Sequence, residues 1–176
     1  MIKYLDPLDK EEKKDILEYI KSEPDIIDCL KTENLRDLYE IMNEPYKISV
    51  MTQLLYDSGI DIFTYLDYVP AFAFWESSIE EVEIPKHIFE IESNAFAYSD
   101  HLKKVTFEEG SCLDAVGTYA FKSCHNLANE IIVLPDSLTK IEGNAFDYTN
   151  IKYLSIPLGT EVYSKSEAPI VYRGVD

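Results

Sequence analysis

The sequence predicts an α+β fold, in which a bundle of short helices at the N-terminus is followed by a short solenoid of stacked strands. Two observations lead to this prediction. Residues 1–70 show apolar positions at helical spacing, interrupted by proline and glycine. The rest of the chain repeats one pattern about every 22 to 25 residues, which is the period of a solenoid turn. We therefore divide the chain into a helical domain, residues 1–70, and a solenoid domain, residues 71–176.

The apolar stripes of the helical domain predict five short helices. Asp6-Pro7 is typical of a helix start, because proline is favoured at the first helical position. The stripes run from Ile16 to Ile20, Ile26 to Leu30, Leu35 to Met42, Ile48 to Leu55 and Phe63 to Leu66. Stripes of this kind usually face the core of their own protein, so we expect these faces to pack on one another and on the solenoid.

Four Ala-Phe pairs mark the repeat, and the residues around them recur in phase. The pairs are Ala73-Phe74, Ala95-Phe96, Ala120-Phe121 and Ala145-Phe146. Strand-like segments follow them at 79–85, 102–107, 130–135 and 151–157. A small polar residue stands three positions after each phenylalanine: Ser77, Ser99, Cys124 and Thr149. We expect the phenylalanines to be buried at equivalent sites, and the small polar side chains to bond backbone groups in the interior.

These motifs resemble a known family. The stretches "IPKHIFEIESNAF" and "LPDSLTKIEGNAF", within residues 71–160, are similar to the leucine-rich repeats of the BspA-like (Treponema-type) family. The four Ala-Phe pairs predict about four turns. The resemblance implies that they form a right-handed solenoid, with a parallel sheet on one face that serves protein recognition. The segment "APIVYR" near the C-terminus is expected to form the last strand of a cap.

The second repeat departs from the pattern. "FEEGSC" replaces the usual Ile-Pro, and "NLANEIIVLP" carries two extra residues. The loops Glu108–Cys112 and Ala128–Glu130 are therefore expected to bulge from one side of the coil.

Alternation along the four strands predicts which side chains point inward and which point outward. The inward set is Val82, Ile84, Val105, Phe107, Ile132, Leu134, Leu154 and Ile156. The outward set forms two columns, and these are the predicted partner-binding residues: Glu81, Lys104, Ile131 and Tyr153, and Glu83, Thr106, Val133 and Ser155. An apolar group beside acidic residues favours a protein partner. The sequence leaves open whether the helices or a second copy of the chain cover this surface, and so leaves homo-oligomerisation open.

The charge and the cysteines exclude several classes of function. The net charge is −17, with the acidic excess in both halves. This argues against direct binding to nucleic acid or to an anionic membrane, and it favours a basic partner, such as a nucleic-acid-binding protein. The N-terminal residues contain no apolar secretion segment, and the three cysteines form no CxxC pair. These features predict a reduced, cytoplasmic setting.

The sequence predicts no enzymatic activity, cofactor or metal. Cys124-His125 is the one adjacent cysteine and histidine, and Cys124 belongs to the predicted buried column. His87, His101 and His125 fall in three repeats without a metal-ligand spacing.

Two functional hypotheses follow. In the first, the chain is an intracellular interaction module that binds one protein through the sheet face. In the second, it is an acidic phage or viral inhibitor that mimics nucleic acid and occupies the basic channel of a host defence enzyme, as anti-CRISPR proteins do, in the host cytoplasm.

Overall fold

The N-terminal half is helical, as predicted. The computed structural model describes residues 3–4, 10–26, 35–57, 59–128, 131–163 and 169–174. The helices are α1 (Lys10–Ser22), α2 (Leu35–Ile41) and α3 (Pro45–Asp57). Residues 24–26 are also helical, whereas the rest of the second predicted helix and the Asp6-Pro7 start lie outside the described residues.

The expected fifth helix is a single 3-10 turn, Ile62–Thr64. Asp61 caps it by accepting a hydrogen bond from the Phe63 N–H at 3.0 Å. The chain then becomes extended at Tyr68–Val69, immediately before Pro70, and so the turn does not continue into a helix. Phe63 is nevertheless buried, as its place in the stripe predicted.

The helices dock on the first turn of the solenoid. The Ser49 hydroxyl in α3 donates to the Trp75 carbonyl at 2.5 Å, and the Phe63 and Phe74 rings lie 5.9 Å apart. Buried side chains of both halves form one continuous core. The boundary at residue 70 stays a prediction, although the first solenoid strand already begins at Tyr68.

Each solenoid turn contributes one longer strand and one strand of two residues. The longer strands are β3 (Ile79–Ile84), β5 (Lys104–Phe107), β7 (Ile131–Val133), β9 (Tyr153–Pro157) and β11 (Ile170–Arg173). They form the long-strand face, and all their pairings with one another are parallel. The last of them is the strand predicted from "APIVYR".

A second parallel sheet, which the repeat did not predict, lies on another side of the coil. We call it the short-strand sheet. Its strands are β2 (Tyr68–Val69), β4 (Glu90–Ile91), β6 (Ala115–Val116), β8 (Lys140–Ile141) and β10 (Glu161–Val162). They pair in the order β10-β8-β6-β4-β2.

The long-strand face is divided in two. One sheet has the order β1-β3-β5, in which β1 (Lys3–Tyr4) pairs antiparallel with the outer edge of β3, and the other has the order β11-β9-β7. Within the described residues, no hydrogen-bonded pairing joins β5 to β7. The division falls at the second repeat, where the sequence carries its extra residues. Gly110, with φ of +76°, turns the chain within the predicted bulge Glu108–Cys112. Residues 129–130 of the other predicted bulge lie outside the described residues.

The core confirms the predicted repeat. Phe74, Phe96, Phe121 and Phe146 are buried, with successive rings stacked at 4.9, 5.0 and 5.1 Å. The predicted inward strand residues are buried as well, except Phe107. Phe107 is half-buried and lines the cleft between the two long-strand sheets, because no strand pairs with β5 on that side.

Three of the four side chains in the small polar column bond the backbone, as predicted, whereas the Ser77 hydroxyl pairs with the Ser99 hydroxyl at 3.1 Å. The Ser99 hydroxyl donates to the Phe74 carbonyl at 2.5 Å, and the Cys124 thiol donates to the Phe96 carbonyl at 3.1 Å. Thr149 donates within its own turn, to the carbonyl of its preceding phenylalanine, at 2.9 Å. These bonds satisfy carbonyl groups that the stacked turns remove from water.

The turns use left-handed backbone at two fixed positions, two residues before and two residues after each stacked phenylalanine. Eight non-glycine residues there have φ between 51° and 62°: Phe72, Glu76, Asn94, Tyr98, Tyr119, Ser123, Asn144 and Tyr148. Asparagine tolerates this region better than most residues, so two of the eight positions carry a suitable side chain.

Candidate protein-binding face

The predicted partner-binding residues lie side by side on the long-strand face. The register pairs Glu81 with Lys104 and Ile131 with Tyr153 in one column. It pairs Glu83 with Thr106 and Val133 with Ser155 in the other. The two outward columns are therefore as predicted, and their role in binding stays a prediction.

The division of the sheet separates these residues by chemistry. The acidic half, on β3 and β5, holds a depression of about 240 Å³ lined by Glu81, Val82, Glu83, Lys104 and Thr106. The apolar half lies on β7 and β9, where Ile131, Val133 and Tyr153 are 53%, 58% and 44% exposed. A partner that spans both halves would meet carboxylates at one end and apolar side chains at the other.

A cleft of about 400 Å³ lies at the division. Phe107 and Gly110 line it from one side, and Val133 and Pro135 line it from the other. Its lining also includes the charged residues Glu108, Glu109, Asp136 and Arg173, so a cleft of mixed chemistry lies between the acidic depression and the exposed apolar strands.

Val171 on β11 extends the apolar half. It pairs with Ser155 in register and is 47% exposed. The sequence contained a signal for it, since the "APIVYR" strand was predicted and alternation places Val171 outward. We name Ile131, Val133, Tyr153 and Val171 the apolar patch.

Arg173 holds the strands of the apolar patch together. Its guanidinium donates to the Ser155 carbonyl at 2.7 Å and to the Asp136 carboxylate at 2.8 Å, and also to the Leu134 carbonyl. One side chain therefore ties β11 to β9 and to the loop after β7. Multiple charge-assisted bonds of this kind fix geometry as well as adding stability.

The apolar patch is open in the structure. The described helices leave all four of its side chains exposed, and the N-terminal strand β1 pairs with the far edge of β3 rather than lying over the face. The described part of the helical half therefore does not cover this surface.

The side chains considered for catalysis each have a different partner and do not contact one another. The Cys124 thiol points inward to the Phe96 carbonyl, and burial raises its pKa to about 12. His125 is exposed and lies 2.6 Å from the Asp100 carboxylate, measured from Nδ1. His87 contacts the Phe63 carbonyl at 2.8 Å in another turn. Among the described residues, no group of three or more His, Cys, Asp or Glu side chains is placed to hold a metal ion.

The described part of the chain contains no helix with the length and apolarity to cross a bilayer.

The match to one protein family agrees with this architecture. A family model described as BspA type leucine rich repeat region matches residues 58–167, more than half of the chain, with six copies. No curated protein matches the chain. Among solved structures, a leucine-rich repeat protein from Bacteroides capillosus ATCC 29799 is similar, at 29% identity and a TM-score of 0.41. The match covers 54% of this chain and 60% of that one, so the chain spans less than two thirds of that protein's length.

Such repeats form a scaffold that is generally non-enzymatic and typical of protein interaction. The chain therefore belongs to the BspA-type leucine-rich repeat family, which its residues 58–167 match.

Proposed function

We propose that the chain is a non-enzymatic interaction module that binds a protein partner through the long-strand face. One observation supports this most directly. Four large apolar side chains, the apolar patch, stand exposed and adjacent on a sheet whose strands Arg173 holds together. Clustered exposed apolar side chains on a rigid surface are typical of protein interfaces.

The acidic depression gives the proposed partner a second property. Glu81 and Glu83 are exposed on the same face as the apolar patch. A partner with an apolar anchor flanked by basic side chains would complement both halves. The proposed setting is a reducing cytoplasm, in which the exposed Cys112 thiol would stay free.

Affinity capture with variants of the face tests the proposal. Tagged chain is incubated with nuclease-treated lysate of the source cell or its host and washed at low and at high salt. We expect one protein to be retained at high salt, since apolar contacts are not screened. Val133→Asp and Tyr153→Asp should each weaken its capture about tenfold or more, because both place a charge in the centre of the interface.

Tyr65→Asp is the matched control. Tyr65 is 56% exposed and precedes β2, away from the long-strand face. This variant should retain the partner. If Tyr153→Asp binds as well as the parent chain, the apolar patch is not the interface. Capture of a nucleic-acid enzyme at low salt only, displaced by added DNA or RNA, would instead support the acidic-inhibitor hypothesis.

A further inference from the structure

The strand β11 forms an open edge of the long-strand face. It pairs with β9 on one side, and no strand in the described part of the chain pairs with it on the other. An open edge presents a row of backbone N–H and C=O groups with which another strand can pair. The partner that fits this edge is therefore a β-strand.

Two residues of β11 direct their backbone groups to the open edge. The Arg173 carbonyl accepts a hydrogen bond from the Leu158 N–H at 2.8 Å. Since alternate residues of a strand bond the same neighbour, the odd-numbered residues of β11 face β9. The N–H and C=O groups of the even-numbered residues, Ile170 and Tyr172, therefore point away from β9.

The side chains at this edge are incompletely covered. Tyr172 pairs in register with Ile156, which points inward and is fully buried. Tyr172 holds the same inward position on its own strand, yet it is 54% exposed. Leu158, whose N–H bonds the end of β11, is exposed as well. The next turn covers such positions within the solenoid, so the exposure marks a place where a further strand fits.

The edge lacks the devices that usually protect an open strand, which are charged side chains and proline. Arg173 is the one charged residue in residues 169–174. Its guanidinium is bonded to the Ser155 carbonyl and to the Asp136 carboxylate, and so it lies across the sheet. Pro169 accepts a hydrogen bond from β9 and belongs to the side that faces β9. The open edge is therefore unprotected.

Local charge allows two copies of the chain to meet here. The chain has a net charge of −17, but residues 169–174 contain no acidic side chain. Two copies therefore repel each other less at this edge than at the acidic half of the long-strand face. The repulsion between the rest of the two chains remains, and salt screens it over distances beyond about 8–10 Å.

We propose that β11 pairs antiparallel with β11 of a second copy of the chain, with a two-fold axis beside Tyr172. One edge then serves both copies, as a two-fold interface requires. Tyr172 would lie opposite Tyr172 of the second copy, and Ile170 opposite Gly174 of the second copy. The long-strand face would continue from one copy into the other. This dimer goes beyond the binding of another protein and does not depend on it, so either proposal can fail without the other.

Sedimentation of the purified chain tests the proposal. The edge is short, and interfaces much smaller than about 1,000 Å² are weak. We therefore expect a reversible equilibrium of monomer and dimer with a Kd between about 10 μM and 1 mM. Raising the salt concentration from about 0.05 M to 0.5 M should tighten the dimer, because the two acidic chains then repel each other less.

Tyr172→Pro tests the backbone bonds. Proline removes an N–H that points to the open edge and leaves the bonds to β9 in place, and edge strands accept proline in this orientation. The dimer should weaken about tenfold or more, because the two-fold axis removes the bond in both copies. Tyr172→Ala is the matched control, which loses the ring and keeps the N–H, and it should weaken the dimer less. Thermal unfolding shows whether each variant keeps its fold.

Amide hydrogen exchange, followed by NMR, gives a second measurement on the unchanged chain. The amides of Ile170 and Tyr172 should exchange more slowly as the protein concentration rises. The amides of Val171 and Arg173 face β9 and should be protected at every concentration.

Three results would overturn the proposal. The first is a monomer at every protein and salt concentration up to about 2 mM chain. The second is growth beyond the dimer, which would mean that β11 pairs with a different edge of the next copy. The third is a dimer that Tyr172→Pro weakens no more than Tyr172→Ala, or that leaves the amides of Ile170 and Tyr172 unprotected, since its interface would then lie elsewhere.

Discussion

At the scale of single residues, the stacked phenylalanines carry the interior of the solenoid. Phe121 is fully buried, with its ring 5.0 Å from Phe96 and 5.1 Å from Phe146. Phe121→Ala should lower the free energy of unfolding by about 3–5 kcal/mol, because it removes buried surface and leaves a cavity between two rings. Urea unfolding of the purified variant measures this change.

Phe89 is the control for that substitution, since it is 40% exposed. Phe89→Ala should cost about 1 kcal/mol or less. Equal losses for Phe121→Ala and Phe89→Ala would mean that the ring column is not the main source of stability in the solenoid.

The burial of residues that recur in phase could be predicted from the sequence. The left-handed backbone at residues with no preference for positive φ could not. The spacing of Phe96 and Phe121 predicted their burial, because an apolar residue that recurs in phase has to face the common interior. Asn94 also carries a hint of left-handed backbone. Tyr98 and Tyr148 carry none, since tyrosine has no preference for positive φ and the stacking of the turns imposes it.

At the scale of elements, Gly117 sets the distance between two solenoid turns. A Cβ atom at Gly117 would lie 2.7 Å from the Ser93 backbone nitrogen and 2.8 Å from the Glu92 carbonyl carbon. Backbone atoms of the preceding turn cannot move away without shifting the short-strand sheet. Gly117→Ala should therefore destabilise the protein by about 1–3 kcal/mol, as overpacked substitutions do. Thermal or urea unfolding measures the loss.

Gly143 in the next turn provides a matched comparison. A Cβ atom there would meet only the Thr118 methyl group, at 3.9 Å. Gly143→Ala should leave stability unchanged or raise it by a few tenths of a kcal/mol, about the entropy that alanine removes from the unfolded chain. A similar loss in both variants would mean that the close approach at Gly117 does not limit the stacking of the turns.

The elements themselves were predictable in proportion to their length. The strands of the long-strand face follow a repeated alternation and were placed correctly. The two-residue strands of the short-strand sheet are too short to show a period, because alternation needs about four residues to be recognised. The extra residues near Gly110 predicted a bulge, but the loss of pairing between β5 and β7 depends on how far the turns separate, which is a property of the stacked structure.

The strand residues of the candidate site could be predicted from alternation, but a cavity formed by distant parts of the chain could not. Alternation placed Ile131, Val133 and Tyr153 outward, and the structure has them there. A cavity between α2 and β2 was not foreseen, because Arg36, Phe72 and Glu92 are far apart in the sequence and share no motif. They meet only because the helical half docks on the first solenoid turn.

At the scale of the whole molecule, buried weak acids link stability to alkaline pH. Burial raises the pKa of the Cys124 thiol to about 12 from an ordinary value of 9.0. Burial likewise raises the pKa of Tyr68 to about 12, and that of Tyr39 further still, from 10.0. All three groups hold their protons more tightly in the folded chain than in the unfolded chain. Once the pH rises above their ordinary pKa values, the unfolded chain releases these protons and the folded chain keeps them, so ionisation favours the unfolded chain.

Stability should be independent of these groups below about pH 8 and should fall as the pH rises from about 9 towards 12. In that window the unfolded chain has lost protons that the folded chain keeps, so the unfolded state is favoured by up to about 1.4 kcal/mol per pH unit for each such proton. Urea unfolding at pH 8 and at about pH 10.5 measures the fall. Cys124→Ser should show a smaller fall, because serine does not ionise and can donate to the Phe96 carbonyl as Ser99 donates to the Phe74 carbonyl. A parent chain equally stable at both pH values, or a variant that falls as steeply, would show that the buried thiol is not linked to folding.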